Sequence, residues 1–166
     1  TLFLHAGISP EDLVLSITEI NDQIRRELNG DLGEEPGLSE KESGPLWYRG
    51  LAANDEAIEQ PHLELLLSTY DVDRVVVGHT PGLGTISPRF EGRVLVIDTG
   101  LSSYYGGFMA SLLLENGEAM TLQRGHRVAL PDSEDGLLPY YRRIAELEPN
   151  ASALRARINR LATTPE

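Results

Sequence analysis

Arg74-Val75-Val76-Val77-Gly78-His79-Thr80-Pro81 is the stretch from which the rest of the chain can be read. Three valines bounded by Gly and Pro read as a buried strand. The run ends in a histidine set among small residues. Thr1-Leu2-Phe3-Leu4-His5-Ala6-Gly7 repeats the same grammar. In α/β proteins, ligands gather just beyond the carboxyl ends of such strands. A rigid strand aims an imidazole, and Ala or Gly beside it leaves room for a ligand. Two imidazoles presented alike point to a shared metal ion. The competing reading of each is a hydrogen-bonded histidine at a strand end.

Outward from these strands, Ser9-Pro10-Glu11-Asp12 reads as a helix start. Ser9 can cap, Pro10 suits the first helical position, and two acids favour the positive end of the dipole. Leu13, Ile17, Ile20, Ile24 and Leu28 keep helical spacing, and Asn29-Gly30 closes the element. The polar stretch from Asp31 to Ser43 reads as a solvated loop. A second helix is expected over Glu56 to Tyr70, burying Leu63, Leu66 and Leu67. Asp71-Val72-Asp73 turns into the valine strand. Pro81 to Pro88 reads as a loop and Arg93 to Asp98 as a strand. Phe108 to Leu114 and Glu118 to Gln123 form a hairpin through Asn116-Gly117. Two helical pieces follow, about Ser133 to Leu147 and Asn150 to Ala162, separated by Pro149, with Asn150 as a cap. The order predicts α/β structure first and antiparallel β structure after it, sheets covered by helices.

With 166 residues the chain suits one domain with a sizeable core. The formal net charge of −12 disfavours nucleic-acid backbones and anionic membranes as partners. No apolar run approaches the length needed to cross a bilayer. Cysteine is absent, which excludes disulfides, thiolate zinc sites and Cys nucleophiles. The chain opens in a strand, with no visible signal peptide and no Met. The expectation is an internal position of a longer, cytoplasmic protein.

Two histidines make a weak metal site, because catalytic centres usually carry at least three protein ligands. Asp98 is an internal candidate for a third; its alternative is a turn cap bonded to nearby backbone N–H groups. Arg49, beside Trp47 and Tyr48, could grip a phosphate or carboxylate in bidentate fashion, or form a surface ion pair with the acidic loop. Tyr104 or Tyr105, before Gly106-Gly107, could border a pocket mouth or simply lead a turn. His126 reads as solvated, and His62 as structural or exposed.

Four of these elements resemble a known family. His5-Ala6-Gly7-Ile8-Ser9-Pro10 resembles the HGG-[LI]-SP element of calcineurin-like metallophosphoesterases. Gly44-Pro45-Leu46-Trp47-Tyr48-Arg49 is similar to the G-P-L-W-x-R segment of the phosphoprotein-phosphatase branch, which includes bacterial Shewanella-like phosphatases. Val77-Gly78-His79-Thr80-Pro81 resembles the late GH motif. Asp98-Thr99-Gly100 with Tyr104-Tyr105-Gly106-Gly107 resembles the closing segment. Pro81 stands where many other metallophosphoesterases carry a second histidine, which favours this branch.

The resemblance implies the C-terminal half of a four-layer αββα sandwich over residues 1–130, followed by a helical tail over 131–166. It implies a phosphatase with two divalent ions, Mn, Fe or Zn, one of them held by both His5 and His79. By the same resemblance, a metal-bridging hydroxide would attack phosphorus in line, Arg49 would hold phosphate oxygens, and Tyr104 or Tyr105 would line the cleft. The implied substrate is a phosphoprotein or a small phosphate ester. The family's GDxHG, GDxxDRG and GNH[ED] motifs do not occur in these residues. They are expected in a missing N-terminal half, without which this chain is expected to be inactive. The alternative is a non-catalytic phosphatase-like binding module.

Overall fold

The two apolar runs that end in histidine are strands, and they pair. In the computed structural model, which describes residues 1–148 and 150–163, β1 (Leu2–Leu4) lies parallel to β2 (Val75–Val77). The register sets Leu2 against Val75 and Leu4 against Val77. Five α-helices and seven strands occur among the described residues. None of the helices is long and apolar enough to cross a membrane. The chain divides into two compact units, Thr1–Thr80 and Pro81–Glu166.

In the first unit the expected helix from Pro10 to Leu28 is two pieces. Pro10–Val14 is a short 3₁₀ turn, Leu15 is extended, and α1 covers Ile17–Leu28. Ser16, not Ser9, is the cap of α1. Its hydroxyl accepts from the Glu19 N–H (3.2 Å), and the Glu19 carboxylate accepts from the Ser16 N–H (2.8 Å). Ser9 instead donates to Asp12 Oδ2 (3.3 Å), and Lys41 donates to Asp12 Oδ1 (2.6 Å). The apolar stripe also ends early: Leu28 is exposed, and Glu27 is buried in its place.

The buried Glu27 corrects the reading of the following loop as a solvated edge. Residues 31–36 are exposed, but Leu38 and Ser39 are buried, and both backbone N–H groups donate to the Glu27 carboxylate (3.1 and 2.7 Å). After the short helix α2 (Gly50–Ala53), α3 spans Glu56–Tyr70, as the spacing predicts. The Asp55 side chain caps it from the Ala57 N–H (2.9 Å). Leu63 and Leu66 are fully buried, whereas Leu67 is only half-buried. Asp71, in the left-handed region at φ 50°, turns the chain toward β2.

In the second unit, β3 (Ser87–Arg89) pairs antiparallel with β4 (Val94–Val96). The sequence reading missed β3 because Pro88 lacks an N–H and argues against a strand. Strands β5 (Ala110–Glu115) and β6 (Glu118–Gln123) form the expected hairpin, with Asn116 and Gly117 both at positive φ. A third strand, β7 (His126–Ala129), follows a second tight turn at Arg124-Gly125, also both at positive φ. An Arg in that conformation gives little sequence signal.

Helices α4 (Leu137–Leu147) and α5 (Ser152–Thr163) carry the residues read as a tail. Tyr140, Tyr141, Ile144, Ala151 and Leu154 form a buried cluster against Leu83, Phe108, Val128 and Leu130. The Tyr140 hydroxyl is buried too, donating to the Ile86 carbonyl (2.7 Å). Pro149, expected to separate the helices, lies outside the described residues.

Glu27 makes the first unit sensitive to acid. Burial works against its charge, but bonds from the Ser39 N–H, the Gln23 amide and the Leu38 N–H outweigh it and hold the carboxyl below the ordinary 4.5. A folded-state value below the unfolded one stabilises at pH above 4.5 and is lost as pH falls through the lower value. Protection of the Leu38 and Ser39 amides from hydrogen exchange should therefore drop below that pH. Glu27→Gln should remove the step; the same step in that variant contradicts this account.

Candidate active site

The parallel register sets His5 against Gly78, one residue before His79. The ladder runs on past the strands: the Gly78 N–H donates to the His5 carbonyl at 2.8 Å. His79 follows in the left-handed region, at φ 55°. For a ring-bearing residue this costs energy, and neighbouring contacts must sustain it. The outcome is that the His5 and His79 rings meet, with centroids 4.6 Å apart and planes tilted by 41°. His5 is exposed and His79 half-buried.

A third group joins them from the Gly44–Gly50 segment. An Arg49 NH2 group lies 3.0 Å from His79 Nε2. Guanidinium has no acceptor and stays protonated, so the imidazole nitrogen accepts. This bond assigns His79 the tautomer with hydrogen on Nδ1. Trp47 stands edge-on to His79, with centroids 5.3 Å apart, and its indole N–H donates to the Ser39 carbonyl (2.9 Å). Arg49 is thus engaged with His79 in this structure.

The segment is held by backbone and by buried polar groups. The Pro45 carbonyl accepts from the Ala6 and Gly7 N–H groups at 3.2 and 3.4 Å. Tyr48 lies directly over Gly7: a Cβ there would stand 2.9 Å from the Tyr48 ring and 3.0 Å from its carbonyl oxygen. The Tyr48 hydroxyl donates to Glu59 Oε2 (2.8 Å), and the Asn54 amide donates to Glu59 Oε1 (2.7 Å). Burial and the Glu59 bond raise the Tyr48 phenol well above its ordinary range. Glu59 itself has 6% exposure, a burial that nothing in the acid-rich helix start advertises.

His62 packs on Tyr48 with centroids 5.6 Å apart. Both of its ring nitrogens are buried without a hydrogen-bond partner among the described residues. Burial pulls its pKa down, against the raising effect of Glu59. It is a structural histidine.

The remaining candidates belong to the second unit. Asp98 Oδ1 accepts from the Gly100 N–H (3.1 Å), which is the turn-cap alternative. Tyr104 and Tyr105 form a 3₁₀ turn capped by Ser102, pack edge to face with centroids 4.9 Å apart, and are both exposed. His126 is exposed in β7.

Neutral imidazoles are apt donors for a borderline divalent ion, and rings this close can share one. Three donors are the usual minimum for a catalytic ion. No group of three or more His, Cys, Asp or Glu side chains suited to a metal occurs among the described residues. His5 and His79 therefore fit a share of a metal centre and do not complete one.

No protein-family model matches the chain. An uncharacterised protein of Schizosaccharomyces pombe is 38% identical over 124 residues, which cover 70% of this chain and 36% of that protein. A crystal structure of a mutant cold-active protein tyrosine phosphatase matches with a TM-score of 0.64 and 26% identity, over 77% of this chain and 40% of that one. The chain thus spans little more than a third of the length of each. It has a phosphatase-like, mixed α/β fold.

The close approach at Gly7 gives a test of how the site is assembled. Gly7→Ala forces the Tyr48 ring and backbone to move and should cost about 1–3 kcal/mol in chemical denaturation, the usual scale of overpacking. A neutral substitution would mean that the Tyr48 segment is not pressed on the β1 exit.

Proposed function

We propose that this chain is the C-terminal part of a metal-dependent phosphoesterase that hydrolyses phosphomonoesters. The observation that carries the reading is the convergence of His5, His79 and Arg49 at the carboxyl ends of two parallel strands. The phosphatase-like fold supports it, as do the four elements that resemble metallophosphoesterases. The matched structure is described as a protein tyrosine phosphatase, which favours a phosphoprotein over a small ester as substrate.

His5 and His79 would hold one divalent ion, Mn, Fe or Zn, together with donors from the segment carrying GDxHG, GDxxDRG and GNH[ED]. Bound ions would supply charge neutralisation and a water of lowered pKa. The chain's own contribution is Arg49. Its guanidinium is planar and permanently charged, and matches two phosphate oxygens at once. In the resting arrangement it donates to a neutral imidazole nitrogen. A phosphate oxygen is the stronger acceptor, because the bond is then charge-assisted on both sides. Substrate thus draws Arg49 off His79 and frees that nitrogen's lone pair. In a chain of net charge −12, such a local cation is needed to admit a dianion.

A second reading is a non-catalytic phosphatase-like binding module, which would meet a partner through the aromatic segment, where Trp47 is exposed.

The isolated 166-residue chain should show no Mn-dependent turnover of p-nitrophenyl phosphate. The full-length protein should turn it over, and Arg49→Ala should lower kcat/KM by about ten- to a hundredfold, the worth of charged hydrogen bonds. Robust turnover by the isolated chain contradicts the allocation of ligands. An inactive full-length protein supports the binding module.

A further inference from the structure

We infer that Glu59 is a positioning residue that acts on phosphate through Arg49, a role that rests on the phosphoesterase reading above. Arg49 is the N-cap of α2, a helix of four residues, Gly50–Ala53. So short a helix is not stable by itself. Its flanks are Tyr48 before the cap and Asn54 after the last turn. Both donate to Glu59, one to each carboxylate oxygen, at 2.8 and 2.7 Å. A single buried carboxylate therefore staples both ends of the element that presents Arg49.

The staple is itself anchored. Glu59 lies in the first turn of α3, where the helix dipole favours a negative charge. One and two turns further along α3, Leu63 and Leu66 are fully buried, so the helix is fixed in the core. On the other side the Tyr48 ring covers Gly7, two residues past His5. Gly50 is hemmed in by the Tyr48 hydroxyl and the Glu59 carboxylate, leaving no space for a side chain. The Arg49 backbone is thus tied to the β1 exit through Tyr48 and to the core through Glu59. Its guanidinium remains exposed and lies 3.0 Å from His79 Nε2.

The side-chain hydrogen bonds of Glu59 go to Tyr48 and Asn54, and to neither His5 nor His79. Its effect should pass wholly through Arg49. Glu59→Gln keeps the size but leaves one acceptor oxygen and no charge, so the two charge-assisted bonds from Tyr48 and Asn54 cannot both survive. Tyr48→Phe keeps the ring over Gly7 and removes the hydroxyl alone.

The test is a double-mutant cycle in the full-length protein, read by kcat and KM for p-nitrophenyl phosphate and by inhibition with inorganic phosphate. Glu59→Gln and Tyr48→Phe should each raise the phosphate inhibition constant and KM about tenfold, the scale of one charged hydrogen bond. In an Arg49→Ala background neither change should cost anything further. Equal losses in both backgrounds would show a merely structural role and overturn the inference, leaving the phosphoesterase reading in place. If Arg49→Ala itself alters neither phosphate inhibition nor turnover, both readings fall. Should Glu59→Gln fail to fold, Tyr48→Phe answers the same question.

Discussion

The hydrogen bond from the Gly78 N–H to the His5 carbonyl, 2.8 Å long, is the constraint on which the candidate site depends. It extends the β1–β2 ladder beyond both strands and sets His5 against Gly78, one residue before His79. Side chains alternate along a strand, so a slip in register would change which face each exit presents. Three consecutive buried valines oppose such a slip, since each fills a place in the core. The left-handed backbone of His79 then turns its ring toward His5. Register brings the two exits side by side, and one unfavourable dihedral supplies the direction.

The second organising feature is the use of buried carboxylates as connectors. Asp12, Glu27 and Glu59 are each less than a tenth exposed, and each is satisfied by groups distant in sequence. Asp12 binds Lys41, Glu27 binds the N–H groups of Leu38 and Ser39, and Glu59 binds Tyr48 and Asn54. Two of the three tie down the segment between α1 and α2, and the third ties down α2 itself. A buried acid left without such partners costs far more than its bonds return. The chain's acidity is therefore partly internal, and its acid count overstates the charge that a phosphate would meet.

What the residues disclosed, and what they hid, follows from the range of the interactions. The strands ending in His5 and His79, helix α3 and the Asn116-Gly117 hairpin rest on local pattern and turn chemistry, and all were legible. Ser16-Ile17-Thr18-Glu19 was legible as a capping box, yet Ser9-Pro10 offered a competing local start and obscured it. Strands β3 and β7 were hidden because Pro88, within β3, and Arg124, in the turn before β7, violate local preference, while the pairing with β4 and β6 is not local. The Arg49–His79 contact spans 30 positions, and Glu59 reaches back 11 to Tyr48. No periodicity encodes such distances. His5, His79 and Arg49 could be proposed singly from their neighbours, but Glu59 looked like one more acid at a helix start.

The contact between Arg49 and His79 has a further meaning for how such a site can rest without substrate. A guanidinium and a divalent ion are both attracted to an imidazole lone pair, and they repel one another. With Nε2 of His79 accepting from Arg49, that nitrogen is unavailable to a cation. On the phosphoesterase reading, a phosphate dianion would resolve the conflict by drawing the guanidinium to itself. Glu59 limits how far Arg49 can travel in that exchange, since it holds the backbone on both sides of the arginine. A short path between two acceptors preserves preorganisation and keeps the cost of reorientation small. Placing the staple on the backbone flanks, and not on the guanidinium, leaves the charge free to change partners while its origin stays fixed.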